Sequence, residues 1–199
     1  MKERFAQLLR STQREGVDMV LNNLERLGFF KAPASTAFHL SCEGGLVEHS
    51  LNVCDMALML REQMILRDAS LSESLPLESV LIVSLLHDVC KAEIYKLGFR
   101  NRKNEATGAW EKVPAYEVDY SACPLGHGEK SVIRLLQWGF QLKADEILAI
   151  RWHMSAWDLP FQSAEMKGNL NAAKEKAPLC TLLQCADGLA SGLLERKKE

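Results

Sequence analysis

The chain has 199 residues, of which 47% are hydrophobic and 25% are charged, and its formal net charge is −2. This length suits one domain with a sizeable core, and the composition is ordinary for a globular protein. The charge gives no strong signal for nucleic acid as a partner, and no apolar run approaches the roughly 18 residues that span a bilayer. The charged N-terminal segment lacks the apolar core of a signal peptide, so we expect a cytoplasmic protein that does not bind a membrane.

The first part of the chain predicts two or three helices. Residues 2–28 have the spacing of one or two amphipathic helices, with Gly16 between the halves and Gly28 as the stop. A loop is expected at 31–41. A further helix is predicted from Leu46 to about Leu66.

Residues 78–91 predict a buried helix that ends in the pair His87-Asp88. The run from Leu81 to Leu86 is almost purely aliphatic, so the polar pair follows it directly. Burying such a pair without partners is costly. We therefore expect other polar side chains to meet it in the fold.

A β-hairpin is predicted at about 94–118, set into an otherwise helical chain. A lone hairpin is marginal unless it packs on something larger, so we expect it on the bundle near the mouth of a site. Its turn region carries Arg100, Arg102 and Lys103. These could reach a phosphate or form a solvated turn, and the turn is favoured.

The last third predicts helices at about 129–138, at 146–153 with Asp145 as the cap, and from Ala172 to about Leu194 with an interruption at Pro178. Inward positions are expected at Val132, Leu135, Leu136, Leu182, Leu183, Ala186, Leu189 and Leu193. Residues 157–168 are predicted to be irregular, and 195–199 to be a frayed tail. The predicted fold class is all-α, a helical bundle with one inserted hairpin.

Six cysteines occur without a Cys-x-x-Cys pair: Cys42, Cys54, Cys90, Cys123, Cys180 and Cys185. Four of them lie in apolar helical patterns, where a reduced thiol acts as a small hydrophobe: Cys54, Cys90, Cys180 and Cys185. These spacings favour neither disulfides nor a zinc–thiolate site.

Four of the five histidines lie inside or beside apolar helical segments: His49, His87, His127 and His153. Asp88 and Asp187 share that setting. Imidazole and carboxylate together suit divalent iron, manganese, cobalt, nickel or zinc, and a bundle can project such ligands inward from several helices. A single histidine on an apolar face is more often a hydrogen-bonded core residue, and a buried aspartate is often a cap or an arginine partner. Composition alone leaves both interpretations open.

The ordered pattern of these residues resembles the HD superfamily of metal-dependent phosphohydrolases. Residues 44–51 (GGLVEHSL) resemble its first histidine segment, and 85–91 (LLHDVCK) its core motif, in the form with a lysine three residues after the aspartate. Residues 186–191 (ADGLAS) resemble its closing aspartate segment. The match spans roughly 36–192, which implies a single HD domain over 1–199 with a helical extension at 1–35.

The resemblance implies a role for each matched residue. His49, His87, Asp88 and Asp187 would hold a first metal, and Asp88 would bridge to a second one held by His127 and His153. Two divalent ions (Fe, Mn, Ni, Co, Zn or Mg) would then activate water against a nucleotide or a related phosphate mono- or diester. Asp88 and Lys91 are the expected catalytic residues, with Lys91 at the substrate phosphate or the leaving group. For Lys91 the alternative is a solvated lysine after a helix end.

Several branch signatures of the superfamily are missing from the sequence. There is no Gly-Tyr-Pro signature of cyclic-di-GMP phosphodiesterases, no preceding oligonucleotide-binding domain as in exoribonucleases, and no paired-residue signature of deoxynucleotide triphosphohydrolases. Two alternatives remain: a one-metal phosphatase in which His127 and His153 bind substrate, and a catalytically weak nucleotide-binding or signalling module. The complete ligand set argues against the module.

For a few residues near the expected site, the sequence leaves more than one interpretation open. His39 could lie behind the ligands, on the substrate side, or in an ordinary loop, and it is left out of the ligand set. Arg151 could contact phosphate or form a salt bridge. The aromatic residues around His153 are explained most simply by core packing, with a base-stacking wall as the alternative: Trp152, Trp157 and Phe161.

Overall fold

The computed structural model describes residues 1–119, 121, 125–155 and 163–195. Helices dominate, and an antiparallel hairpin is the sheet found within these residues. The elements in chain order are α1 (Lys2–Ser11), α2 (Val17–Leu27), α3 (Gly45–Arg67), α4 (Leu71–Ser74), α5 (Leu77–Leu86), α6 (Lys91–Ile94), β1 (Tyr95–Lys103), β2 (Trp110–Val118), α7 (His127–Gln137), α8 (Ala144–Trp152), α9 (Ala164–Lys176), α10 (Pro178–Leu189) and a π-helical turn (Ala190–Leu194). The prediction of a helical bundle with one inserted hairpin is confirmed.

The N-terminal helix pair follows the predicted glycine pattern. Gly16 precedes α2 and Gly28 ends it, with φ angles of +86° and +79°. Side chains other than glycine rarely adopt this left-handed conformation, so the two glycines set the bounds of the helix. Phe5 of α1 is fully buried and packs on the rings of Phe29 and Phe30, which joins the pair to the core.

The core of the bundle brings α3, α5, α8 and α10 together. α3 packs against α5 and α10, and α8 packs against α5, α7 and α10. Every residue from Ser79 to Leu86 is buried, as expected for a helix that is apolar on all faces. This central position of α5 carries the residues that follow it into the interior.

The predicted continuous helix over 78–91 is wrong, because α5 ends at Leu86 and the chain tightens into shorter turns. The N–H of Lys91 donates to the carbonyl of Asp88 at 2.9 Å, and that of Glu93 donates to the carbonyl of Cys90 at 3.0 Å. Such i→i+3 bonds are typical where an α-helix ends. His87 and Asp88 therefore lie at a helix break inside the core.

The start of α8 also differs from the prediction. Lys143 takes the position before the helix, and its N–H donates to the carboxylate of Glu146 at 2.8 Å. Asp145 therefore lies within the first turn and does not cap the helix. In α7, Leu136 is exposed instead of facing the core.

The C-terminal part of the structure differs from three of the predictions. α9 begins at Ala164, where irregular chain was predicted to 168, because the Ser163 hydroxyl accepts the N–H of Met166 and caps the helix. Leu193 is exposed, since it lies in the π-helical turn. Cys185 is exposed as well, whereas Cys54, Cys90 and Cys180 are buried free thiols as predicted. Cys123, Trp157 and Phe161 lie outside the described residues.

The hairpin pairs Tyr95 with Val118 at its base and Lys103 with Trp110 at its tip. β1 follows α6 directly and contacts it, so the base of the hairpin is close to the turn that carries His87 and Asp88. Most strand residues are nevertheless exposed. The basic side chains of the hairpin are among the exposed ones: Arg100, Arg102 and Lys103.

Over the described parts of the chain, no single helix has the length and apolarity to cross a membrane. By length and composition alone, α9 and the segment from Pro178 to Leu194 are together long and apolar enough to cross a membrane, as a pair bent by 103°. In the fold, α10 packs against α3 and α8.

Candidate metal centre

The structure brings all six predicted metal ligands to one place. They come from the first turns of α3 (His49), the break after α5 (His87 and Asp88), the start of α7 (His127), the end of α8 (His153) and α10 (Asp187). The side chains of His49, His87, Asp88 and His153 are at most 1% exposed. The polar partners expected for the His87-Asp88 pair are therefore present.

His87 and His153 lie immediately after their helices and are oriented in the same way. The Nδ1–H of His87 donates to the carbonyl of Ser84 at 2.9 Å, and that of His153 donates to the carbonyl of Ile150 at 2.7 Å. Carbonyls in the last turn of a helix lack partners within the helix, so each ring satisfies one of them. With Nδ1 as the donor, a neutral ring presents its Nε2 lone pair to the centre, which is the form that binds metals.

A first group of ligand atoms surrounds His49 Nε2. This atom lies 3.3 Å from His87 Nε2, 3.5 Å from Asp88 Oδ2 and 3.4 Å from Asp187 Oδ1. His87 Nε2 lies 3.3 Å from the same Asp88 oxygen. Ligands that share one ion at about 2.1 Å are separated by roughly 3 Å or slightly more, so this spacing suits a common cation.

A second group of ligand atoms surrounds the other oxygen of Asp88. Asp88 Oδ1 lies 3.7 Å from His127 Nε2 and 3.5 Å from His153 Nε2, and the two Nε2 atoms are 3.1 Å apart. Asp88 thus turns one oxygen towards each group. Among the described residues, His49, His87 and Asp88 form one cluster whose ligand atoms could hold a metal ion, and Asp88, His127 and His153 form another. Asp187 clusters with His87 and His153, and so lies near both groups.

Asp88 is the buried group that most needs a cation. Among the described residues, neither of its oxygens has a hydrogen bond of good geometry, although Lys91 Nζ forms an ion pair with Oδ2 at 2.6 Å. Unpaired buried carboxylate oxygens are costly, and coordination to a metal would satisfy them. The buried His and Asp side chains therefore fit a metal ion for two reasons. They are suitable ligand types, and the Asp88 oxygens lack hydrogen-bond partners among the described residues.

Lys91 is buried, which excludes the alternative of a solvated lysine. Burial alone would lower its pKa, but Asp88, Tyr95 and Asp187 together outweigh burial and raise it. Burial would raise the pKa of Asp88, and Lys91 and His87 instead hold it well below its usual range. The pair therefore stays charged inside the protein.

The approach of α7 to α8 places His127 beside His153. Gly128 makes this approach possible, since a Cβ there would lie 2.5 Å from the carbonyl oxygen of Arg151 and 2.8 Å from that of Ile150. The Cys90 thiol donates to the His127 carbonyl at 3.2 Å. Burial raises the pKa of the Cys90 thiol to about 12.

Two residues that the sequence did not identify lie behind His49. Glu195, predicted to belong to a frayed tail, is buried, and its Oε1 and Oε2 accept from His49 Nδ1–H at 3.1 and 3.0 Å. Asn52 donates to Glu195 Oε1 at 3.0 Å. His49 and Glu195 are 146 residues apart, and no sequence spacing links them.

The pKa shifts of the imidazoles differ within each group, since burial lowers the pKa of His87, whereas at His153 burial is outweighed mainly by Asp88 and the pKa is raised. Burial lowers the pKa of His49, but the carboxylates of Asp88 and Glu195 outweigh burial and raise it to about 9. At His127 burial dominates and lowers the pKa to about 3. Burial also lowers the pKa of His39.

A pocket of about 340 Å³ opens beside the ligands and is lined by His39, Lys91, His153, Met154, Gln184, Asp187, Gly188 and Ser191. The ring of His39 lies 5.0 Å from that of His49 between centroids, so this loop histidine belongs to the edge of the site. Its Nε2 is buried and lacks a hydrogen-bond partner in the described residues. A small molecule in the pocket would reach Lys91 and Asp187 directly.

Arg151 and Trp152, for which the sequence left two interpretations open, make contacts within the protein. Arg151 forms a salt bridge with Glu129 at 2.8 Å and lies over the ring of Trp152. Trp152 itself is buried in the core. These contacts match the salt-bridge and packing interpretations.

Searches of protein-family models, curated proteins and solved structures found no match to this chain.

Proposed function

We propose that the protein is a metal-dependent phosphohydrolase of the HD superfamily, acting on a nucleotide or a related phosphate mono- or diester. The observation that carries the proposal is the division of the Asp88 carboxylate. Oδ2 faces His49 and His87, and Oδ1 faces His127 and His153. One carboxylate between two imidazole groups is an arrangement that suits a pair of divalent ions.

The ligand sets follow from this division. His49, His87, Asp88 and Asp187 would hold one ion, and Asp88, His127 and His153 the other. The chemistry that such ions supply when bound is water activation near neutral pH and polarisation of phosphoryl oxygens. Imidazole and carboxylate ligands fit iron, manganese, cobalt, nickel or zinc, and magnesium less well.

The residues of the pocket have separate tasks in this proposal. The Lys91 ammonium stays charged beside Asp88 and is positioned to bind a phosphate oxygen or to assist the leaving group. The hydrogen bonds of His87 and His153 to backbone carbonyls keep their Nε2 atoms directed at the centre without reorganisation. His39, Gln184 and Ser191 line the pocket on the side where the remainder of the substrate would lie.

The test measures metal content and hydrolysis together. The wild-type protein, loaded separately with Mn²⁺, Fe²⁺, Co²⁺, Ni²⁺, Zn²⁺ or Mg²⁺, is analysed for metal per chain and assayed on a panel of nucleotides and phosphate esters. We expect two ions per chain and hydrolysis of at least one ester. His127→Ala should leave one ion per chain, and Asp55→Asn is the matched control, because Asp55 forms a surface ion pair with Arg4.

Other outcomes would contradict parts of the proposal. One ion in the wild type, unchanged in His127→Ala, would support a one-metal phosphatase with His127 and His153 at the substrate. No hydrolysis in any metal form, combined with nucleotide binding that His87→Ala abolishes, would favour a nucleotide-binding or signalling module.

A further inference from the structure

The C-terminal end of the described chain inverts the usual pattern of burial. Leu193 and Leu194 are 67% and 55% exposed, whereas the Glu195 side chain is 1% exposed. Burying a carboxylate while exposing two leucines is unfavourable unless the carboxylate has a specific partner. This inversion therefore indicates that the buried carboxylate of Glu195 has a specific partner inside the protein.

The π-helical turn is what brings Glu195 inward. The N–H of Glu195 donates to the carbonyl of Ala190, five residues earlier, at 3.0 Å. A π turn holds one more residue than an α turn and shifts the following residue around the helix axis, and such turns are frequent at functional sites. The turn contacts α3, which carries His49 and Asn52.

The contacts of Glu195 lead directly to His49. Both carboxylate oxygens accept from His49 Nδ1–H, at 3.0 and 3.1 Å, and Asn52 donates to Oε1 at 3.0 Å. The opposite nitrogen of the same ring, Nε2, faces Asp88 and Asp187 at 3.5 and 3.4 Å. The ring is thus held at one end by a carboxylate and directed at the centre with the other.

We propose that Glu195 is a positioning residue for the metal centre, which orients His49 through Nδ1–H so that Nε2 is presented as a ligand. A carboxylate on the far nitrogen also makes the ligating nitrogen more basic, and Asn52 keeps the carboxylate in place. His87 and His153 use backbone carbonyls for the same purpose, whereas His49 depends on a side chain distant in the sequence. The inference rests on the metal-binding part of the proposed function and not on hydrolysis.

The test compares metal affinity, measured by competition with a chelating dye, in the wild type, Glu195→Ala, Glu195→Gln and Asn52→Ala. We expect Glu195→Ala to weaken the affinity roughly 10- to 100-fold, as is typical when such a partner is lost, with smaller losses for the other two. Glu25→Ala is the matched control, because Glu25 is a surface glutamate paired with Lys2, and it should bind as the wild type does. If Glu195→Ala fails to fold, Glu195→Gln decides.

A second readout separates positioning from general stability. In the Zn²⁺-loaded wild type, the His49 Nδ1–H proton should give a low-field, slowly exchanging NMR signal, assigned by its loss in His49→Ala. The signal should vanish in Glu195→Ala while the signals of His87 and His153 remain.

Wild-type affinity in the Glu195 variants, an equal loss in Glu25→Ala, or no such signal in the wild type would overturn the inference and leave the proposed function intact. Metal binding without hydrolysis would contradict the proposed function alone. A wild type that binds no metal would overturn both.

Discussion

At the scale of single residues, Asp88 links the two groups of candidate ligands. Its two oxygens face two imidazole groups, and its described positive neighbour, Lys91, contacts one of them. A buried carboxylate in such surroundings is stable only as long as cationic or donor partners remain. The proposed metal binding and the local stability therefore depend on the same side chain.

Asp88→Asn should abolish metal-dependent stabilisation. The amide keeps the size of the carboxylate but presents one oxygen and no charge, so neither ligand group is complete. In the wild type, an ion at 100 times its dissociation constant should add about 2.7 kcal/mol to the free energy of unfolding. Thermal unfolding with and without Mn²⁺ measures this, with Asp55→Asn as the control. A variant that metal still stabilises by the wild-type amount would contradict the assignment of Asp88.

The residues around the centre show what spacing in the sequence can reveal. The six candidate ligands were predicted, because histidine and aspartate stand out in apolar segments and their order resembles a known family pattern. Glu195 was not, because a glutamate in a charged tail is inconspicuous, and its burial results from the π-helical turn and from packing on α3. The geometry of His87 and His153 also depends on backbone carbonyls, which no side-chain pattern shows.

At the scale of elements, α7 and α8 pack closely near the centre. Gly128 lies against the last carbonyls of α8, and His127 precedes it in the same turn. This glycine is needed for space and not for a special backbone angle. The position of His127 beside His153 is therefore a consequence of helix packing.

Gly128→Ala should lower the free energy of unfolding by about 1–3 kcal/mol, the typical cost of overpacking, and should weaken the site formed by His127 and His153. Gly168→Ala is the matched control. Gly168 lies inside α9 with nothing within 4 Å of its added methyl group, so it should gain about 0.5–1 kcal/mol. Urea denaturation and metal content measure both effects, and equal stability changes in the two variants would contradict the packing argument.

The start of α8 is held by a buried ion pair. Arg14 binds both oxygens of Glu146, at 2.7 and 3.1 Å, and the Ser79 hydroxyl donates to Glu146 at 2.7 Å. Glu146 is fully buried, so the contact joins the turn after α1 to α5 and α8. A pair of this kind is costly to break from one side.

Glu146→Gln should therefore destabilise the protein by on the order of 3 kcal/mol, because Arg14 loses its buried counter-charge. Glu25→Gln, which disrupts an exposed pair with Lys2, should cost less than about 1 kcal/mol. Chemical denaturation of the metal-free protein compares them. Similar midpoints for the two variants would show that the buried pair has no special weight.

At the scale of the whole molecule, the centre exists only when the bundle is assembled. Its candidate ligands lie on α3, α7, α10 and the ends of α5 and α8, and the core cluster that supports them runs from Phe5 to Ala190. Bringing distant segments together is opposed by chain entropy and is favoured here by apolar burial. Metal binding should consequently stabilise the entire fold and not one element.

The hairpin stands apart from this assembly, since its strands pair with each other and are mostly exposed. Replacing residues 99–114 by a short turn should change the free energy of unfolding by less than about 1 kcal/mol, as for other exposed segments. The metal content should remain unchanged. Thermal unfolding and elemental analysis of the shortened chain test this, and a lost metal would show that the hairpin supports the centre.

The sequence by itself determined the helical class and the place of the hairpin, because periodicity is a local property, and its resemblance to a known family singled out the six candidate ligands. Only the tertiary structure decided the break after Leu86, the burial of Lys91 and the division of the Asp88 oxygens between two groups. It alone revealed Glu195 behind His49. These features depend on which surfaces exclude water when segments distant in the chain pack together, and no short stretch of sequence contains that information.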